Sequence, residues 1–310
     1  MERSLIIGGL GFIGSHLVED CISRGQEVTV LTRSTQKLEN IKPIQDKVGL
    51  IVKDLRDIGP EVEGFDYIFN LSGTTSNYSI LDGNPFSDIE QNCTNVLCLL
   101  EAMRRYNTGA KLIYASTFFV NGNPTKLPVT PDQRCEPLGL YGATRLAGEN
   151  FCRIYGNVFD LDSRIMRFCN VFGPKEVGSK RKAGFNFLIK EAVEGRVLPI
   201  YNGGNFFRDY IYVTDVASAC NVVAEKGKKN QIYYVGTGRR IKFKELIDVI
   251  LKETGASSIS IEPPDFHKKV GIGDFICDPS ALKDLGWQPR VDLEEGIKRT
   301  IEYYKGENGR

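Results

Sequence analysis

Tyr141-Gly142-Ala143-Thr144-Arg145 places a phenol and a fixed cation four residues apart. On a helix these two positions share one face, about one turn apart. A positive charge there favours the phenolate, which suits the tyrosine to take a proton from a hydroxyl, or return one, near neutral pH. The chemistry indicated is hydride exchange at an alcohol or ketone carbon. A place for a hydride carrier stands at the other end of the chain. Leu5-Ile6-Ile7 runs into Gly8, Gly11 and Gly14 at G-x-x-G-x-x-G spacing, with Phe12 and Ile13 between and Ser15-His16-Leu17 continuing as a helix. Glycine permits the tight turn and close backbone approach to a pyrophosphate, and the helix N-terminus adds free N–H groups and a favourable dipole. His16 reads as a packing or helix-surface residue.

The second strand pattern ends in Thr32-Arg33-Ser34. An NAD site usually carries an acidic residue there for the ribose diol. Arginine can instead pair with a 2′-phosphate, so within NAD(P) the sequence favours NADP(H) over NAD(H). The alternative is that Arg33 stacks on the adenine and NAD binds. Asp54, after the third strand, is either an acceptor for the adenine amine or a solvated loop aspartate.

The elements that must position these groups follow from periodicity. Strand-length apolar runs at Ser4–Ile7, Glu27–Thr32, Val48–Val52, Tyr67–Leu71, Lys111–Ala115 and Asp162–Phe168 alternate with helical patterns at Ser15–Arg24, Ile89–Tyr106 and Leu140–Tyr155. That alternation predicts an α/β chain with a Rossmann-type doubly wound parallel sheet. The second half is less regular. It carries helical patterns at Phe185–Gly195, Val216–Lys226 (capped by Asp215), Phe243–Thr254 and Leu293–Lys305, and strands at Phe207–Val213 and Ile232–Val235. Gly- and Pro-rich segments at Gly173–Gly184 and Ser257–Asp278 read as loops or a lid. The expected division is a dinucleotide-binding domain over 1–168, with 207–235 returning to its sheet. A smaller, irregular α/β substrate-binding portion covers 169–206 and 236–310.

Composition excludes several classes. The chain has 310 residues, 41% of them hydrophobic, and a formal net charge of +1. A full core is therefore expected, and nothing in the charge balance points to nucleic acid or a membrane surface. Met1-Glu2-Arg3-Ser4 leads straight into an apolar strand and reads as the start of a domain. The 8 cysteines are scattered, none as C-x-x-C, and only His16 and His267 accompany them. No metal site is expected, and a reducing cytoplasm fits best.

Taken in order, these motifs resemble the extended short-chain dehydrogenase/reductase family, in particular its nucleotide-sugar epimerases, dehydratases and 4-ketoreductases. The resemblance runs nearly end to end. It includes Gly8–Leu17, Asn70-Leu71-Ser72-Gly73, Asn92, the run from Tyr114 through Ser116-Thr117 to Gly122, and Tyr141–Glu149. It continues through Met166–Pro174, Arg208–Ala217, Val235–Gly238 and Asp278–Trp287. Carried over, it makes Tyr141 the acid/base, Thr117 the hydroxyl that holds the reacting oxygen, and Arg145 the occupant of the position where the family has a lysine that holds the nicotinamide ribose and lowers the tyrosine pKa, so that Tyr141 and Arg145 are cofactor contacts too. Leu55, Leu71 and Ser72 join the glycine turn as cofactor contacts. Asn170 and Arg208 match positions that touch the substrate's diphosphate, a task suited to a planar guanidinium. A further phosphate-binding arginine is usual upstream of the Asp278 motif; His267-Lys268-Lys269 stands there, so Lys268 or Lys269 is the expected substitute. The family also pairs the helices at Ile89–Tyr106 and Leu140–Tyr155 into a homodimer. Val96, Leu97, Leu99 and Leu100 suit that face or the monomer core.

Departures from the family narrow the reaction. Dehydratases carry Asp-Glu after the Ser/Thr, and enzymes that epimerise beside a ketone use a nearby cysteine; Phe118-Phe119 stands here. Cys135 and Glu136 precede Tyr141 and read as ordinary loop residues. What remains is oxidoreduction or epimerisation at a ring hydroxyl or ketone, C4 being expected, of a nucleotide-diphosphate sugar, without dehydration. The other reading is a weakly catalytic nucleotide-sugar or dinucleotide binding protein, and it rests on Arg145, which is longer and forked where the family has an ammonium.

Overall fold

Strands covered by helices on both faces read as continuous apolar runs, because neither face meets water. Arg3–Ile7 (β1), Glu27–Thr32 (β2), Val48–Val52 (β3), Tyr67–Asn70 (β4), Lys111–Thr117 (β5) and Asp162–Phe168 (β6) form these elements in a computed structural model. The structure describes residues 1–75, 81, 84–176 and 184–308. With Ile232–Val235 (β11), they build a seven-stranded sheet in the order β3-β2-β1-β4-β5-β6-β11, every neighbouring pair parallel. Alternate side chains feed two cores. Ile6 packs with Leu17 of Phe12–Ser23 (α1) and Val216 and Val223 of Val213–Lys226 (α6). Leu5 and Ile7 pack with Leu99 and Leu100 of Asn95–Tyr106 (α3) and Cys152 of Leu140–Phe159 (α4). The strand order reverses between β1 and β4. In such sheets ligands bind in the crevice outside the carboxyl ends of the strands at that reversal.

Phe86–Ile89 (α2) continues through a π-helical turn, Glu90–Thr94, into α3. The second half has its own aromatic-rich core. Phe172 of Asn170–Phe172 (β7) and Tyr210 and Tyr212 of Tyr210–Tyr212 (β10) meet Phe185–Val193 (α5), Phe243–Thr254 (α7) and Leu293–Asn308 (α10) through Ile189, Phe243, Ile247 and Ile297. Leu198–Tyr201 (β8) pairs with Ser258–Ile261 (β13), and Phe207–Arg208 (β9) with Ile241–Lys242 (β12). Asp265–Val270 (α8) and Ser280–Lys283 (α9) complete the elements. No helix among the described residues is long and apolar enough to cross a membrane.

Several expectations need correction. Of the stretch 207–235 expected to return to the main sheet, only β11 does so. Phe207–Val213 is not one strand, because Asp209 turns inward between β9 and β10. Its carboxylate accepts from Thr237 N at 2.7 Å and Gly238 N at 2.8 Å, so β9 pairs with β12 and β10 with β7. Asp215 does not cap α6 but lies in its first turn, where it accepts from Arg290 N and Val291 N, both at 3.0 Å. The segment 257–278 holds β13 and α8 rather than loop alone. Of the loop read at 173–184, residues 177–183 lie outside the described residues.

Candidate active site

The glycine turn is built by backbone geometry. Gly8 sits at φ +82°, a region other side chains rarely adopt, and its N–H donates to Leu31 O at 3.1 Å. A Cβ on Gly14 would lie 2.2 Å from Gly8 O, so this position must be glycine for α1 to start where it does. A Cβ on Gly11 would meet Gly8 O at 3.1 Å and otherwise open space. The turn therefore forms a cradle floored by backbone, open on the ligand side and capped by the N-terminus of α1.

Gly8, Gly11, Phe12, Ile13 and Gly14 line one wall of a cavity of about 1660 Å³. Arg33, Leu55, Leu71 and Ser72 also line it, as do Thr117, Tyr141 and Arg145. Asn170 and Arg208, contributed by the second half of the chain, line the same cavity. A drug-sized ligand site is about 300–1,000 Å³, so this cavity has room for a dinucleotide and a second ligand end to end.

Two expected residues are elsewhere. Asp54 does not reach the cavity: its Oδ1 accepts from Arg56 N at 2.9 Å and from Arg56 Nε at 3.3 Å, capping a short helical turn. Lys268 points outward, its Nζ 2.9 Å from Glu262 and half-exposed, because α8 turns His267, not Lys268, toward the cavity. Cys135 and Glu136 are also outside it. Cys135 Sγ accepts from Arg167 at 3.3 Å, and exposed Glu136 pairs with Arg134 at 2.9 Å.

Thr117 ends β5, and its Oγ1 accepts from Phe119 N at 3.3 Å. Tyr141 is the second residue of α4, with its ring edge-on to Phe119 at 5.8 Å. Phe118 is buried against Phe275, ring centres 4.7 Å apart, and both Phe118 and Phe119 line the cavity.

Arg145 is 4% exposed. Its guanidinium donates to Ala115 O at 2.9 Å and Thr74 O at 3.0 Å, and its Cζ lies 5.6 Å from the centre of the Tyr141 ring. Burial pulls its pKa down, but the Tyr141 and Tyr114 phenols outweigh that and hold it above the ordinary value. Nε–H has no partner among the described residues. Gly73, at φ +128°, gives the guanidinium its space; a Cβ there would lie 2.5 Å from Arg145 Nη2.

Thr74 is held in turn by Asn92, which belongs to the family resemblance, and by Asp88. Asn92 donates to Thr74 Oγ1 at 2.7 Å and Thr144 Oγ1 at 3.0 Å, and Thr74 donates to Asp88. Asn92 sits on the π-helical turn, so periodicity gives it no role, and only the resemblance marks the position.

A second buried network lies beneath Thr117. Glu149 and Arg167, each 2% exposed at the side chain, form a two-point ion pair at 3.0 and 2.8 Å. Ser116 donates to Glu149 at 2.5 Å, Arg167 to Tyr234 at 3.1 Å, and Tyr234 to Asn121 at 2.7 Å. Burial disfavours the Arg167 charge, yet the contact with Glu149 holds its pKa well above the ordinary value.

Asn170 donates to Asp209 O at 3.0 Å. Arg208 donates to Phe207 O at 3.0 Å and to the carbonyls of Ile272 and Gly273, and lies 4.8 Å over the Phe206 ring. Burial pushes the Arg208 pKa down. An anion arriving here would meet a largely desolvated cation whose present partners are neutral carbonyls. Cys169, Asp209 and Cys277 cluster within 4.8 Å beneath it, but Cys277 Sγ–H donates to Asp209 at 3.2 Å and burial pushes both thiols up, so the group is a hydrogen-bonded core cluster.

The residues fit a dinucleotide. The cradle stays open because Gly11 carries no side chain, and among the described residues Arg145 Nε–H leaves the buried cation a donor that protein acceptors do not use. Comparison with known proteins gives the same answer. Residues 4–236 match the model of the NAD dependent epimerase/dehydratase family. The chain is 30% identical over 319 residues to the UDP-glucose 4-epimerase of Mycolicibacterium smegmatis, covering 99% of each. It superposes on the UDP-glucose 4-epimerase of Thermotoga maritima, solved with UDP-glucose, with TM-score 0.87 and 29% identity over 99% of both chains. The Thermus thermophilus UDP-glucose 4-epimerase, solved with NAD, gives TM-score 0.84 and 29% identity over 98% of this chain and 99% of that one.

Proposed function

The chain belongs to the NAD dependent epimerase/dehydratase family, and within it we propose that it is an NAD-dependent 4-epimerase of a nucleotide-diphosphate sugar. One observation carries the reading: Thr117, Tyr141 and Arg145 line one cavity together with the glycine cradle and Arg208. When bound, NAD supplies a hydride acceptor and donor for the sugar carbon. Everything else falls to side chains of this chain. Tyr141 takes the proton of the ring hydroxyl as it becomes a ketone and gives it back as the hydroxyl re-forms. Thr117 Oγ holds that oxygen through both steps. Arg145 stabilises the phenolate that Tyr141 must be before it takes the proton and again after it returns it, in a site where burial strengthens the interaction. Arg208 and Asn170 anchor the diphosphate, which leaves the sugar free to present either face to the cofactor. Phe118 and Phe119 offer no acid or base, which favours return of the hydride over elimination.

For the cofactor we assign NAD. The 2′-phosphate expected at Arg33 gains no support from the solved relative, which holds NAD. The Asp54 carboxylate lies near enough to Arg33 to be held in its charged form, mainly by Arg56 and in part by Arg33. That carboxylate would oppose a phosphate at the same corner. Protein purified without added cofactor is expected to release NAD+ or NADH on denaturation and to turn over unassisted. Release of NADP, or strict consumption of added NADPH, would instead mark a reductase.

We also propose a homodimer, with Leu97 of α3 half-buried and the other three apolar candidates on that helix turned inward. Val96, Leu99 and Leu100 are buried in the monomer core. Phe86, Ile89, Ile154 and Val158 on α2 and α4 are 74, 49, 52 and 64% exposed, and such apolar exposure marks an interaction surface. Ile154→Glu with Val158→Glu should convert a dimer to a folded monomer in light scattering. A wild-type monomer at micromolar concentration would refute the dimer.

A further inference from the structure

His267 lines the same cavity as Arg208 and Asn170, and its ring lies 4.7 Å from that of Tyr201, tilted by 50°. Lys268, the expected cation of this segment, is committed to Glu262 at 2.9 Å and lies 4.0 Å from Asp265. The imidazole therefore takes the inward position. Arg208 faces it from β9 and Tyr201 from β8. On α8 itself the charged groups are Asp265, Lys268 and Lys269, all exposed. Burial and the Arg208 charge hold the His267 pKa below the ordinary histidine value. Without ligand the ring is therefore neutral at pH 7. A diphosphate placed against Arg208 reverses the local field, because its charge favours an imidazolium where the guanidinium alone disfavoured one.

We propose that His267 joins Arg208 in clamping the substrate's diphosphate, and that it does so as an imidazolium, so that nucleotide-sugar binding takes up a proton from solvent. The inference rests on the nucleotide-sugar reading above. It makes α8 a pH-sensitive wall of the substrate site: affinity is highest below neutrality and falls as the bound imidazolium loses its proton.

The test is calorimetric titration of tag-free protein with UDP-glucose at pH 7, in buffers of different ionisation enthalpy. The diphosphate of UDP-glucose does not titrate near neutrality, so any proton taken up is taken by the protein. The chain has only 2 histidines, which makes the assignment decisive. The binding enthalpy should rise with buffer ionisation enthalpy in wild type and in His16→Asn, and the slope should vanish in His267→Asn. The affinity loss in His267→Asn should be roughly tenfold at pH 6.5 and should shrink at pH 8.5, as expected for one charge-assisted hydrogen bond. Buffer-independent binding in wild type, or a slope retained in His267→Asn, overturns the proposal. No binding of either UDP-glucose or dTDP-glucose overturns the nucleotide-sugar reading beneath it.

Discussion

Tyr141→Phe is expected to lower the rate of epimerisation by about 10²–10⁴-fold, the usual contribution of a positioned acid/base, with bound cofactor and thermal stability unchanged. The substitution removes one oxygen at the cavity wall. The ring, which packs edge-on against Phe119 at 5.8 Å, stays. Arg145 keeps both its carbonyl partners, Ala115 and Thr74, so the cation is not stranded. The loss should therefore fall on kcat rather than on substrate affinity. Arg145→Lys is the companion measurement. It keeps the charge and shortens the side chain, and activity should be retained or raised. Unchanged activity in Tyr141→Phe would remove Tyr141 from the reaction.

Glu149→Ala should destabilise the fold by about 3–5 kcal/mol, because it leaves the buried Arg167 guanidinium without its countercharge. For a chain of this length that corresponds to a fall in Tm of roughly 5–8 °C, measurable by calorimetry. Arg167 would keep Tyr234 and Cys135 as neutral partners, which cannot replace a two-point carboxylate contact. Ser116 would lose its acceptor at 2.5 Å. Since Ser116 precedes Thr117 on β5, activity should fall along with stability. Glu149→Gln keeps acceptor atoms for Ser116 and should cost less. A loss below about 1 kcal/mol in Glu149→Ala would mean the pair does not hold this region, since that is the range of exposed pairs.

The parts of the site readable from sequence were those written in local pattern. The glycine turn is visible because strand, Gly8, Gly11, Gly14 and helix follow one another within a single βα unit. Tyr141 and Arg145 are visible because helical spacing puts them on one face. Arg208 and Asn170 were reachable only through family resemblance, since each sits on a short strand that the chain brings to the cavity from far away. The misreadings share one cause. Asp54, Asp215 and Lys268 were assigned by position along the chain, whereas their side chains are settled by the nearest partner in space: the Arg56 amide, the Arg290 and Val291 amides, and Glu262. His267 was passed over because one step along a short helix decides which of two adjacent basic residues faces inward. Asn92 was marked only by the family resemblance, without a role, because the π-helical turn that carries it breaks the spacing by which helical residues are paired.

The central claim is that hydride leaves the sugar and returns to the same carbon without exchange. It is tested most directly by incubating the purified protein with UDP-glucose deuterated at C4, no cofactor added, and following the sugar by mass spectrometry and NMR. The account predicts the 4-epimer with deuterium retained at C4, and no deuterium gained when unlabelled substrate is turned over in heavy water. Loss of the label to solvent, or product formed only in proportion to added NAD(P)H, would contradict it.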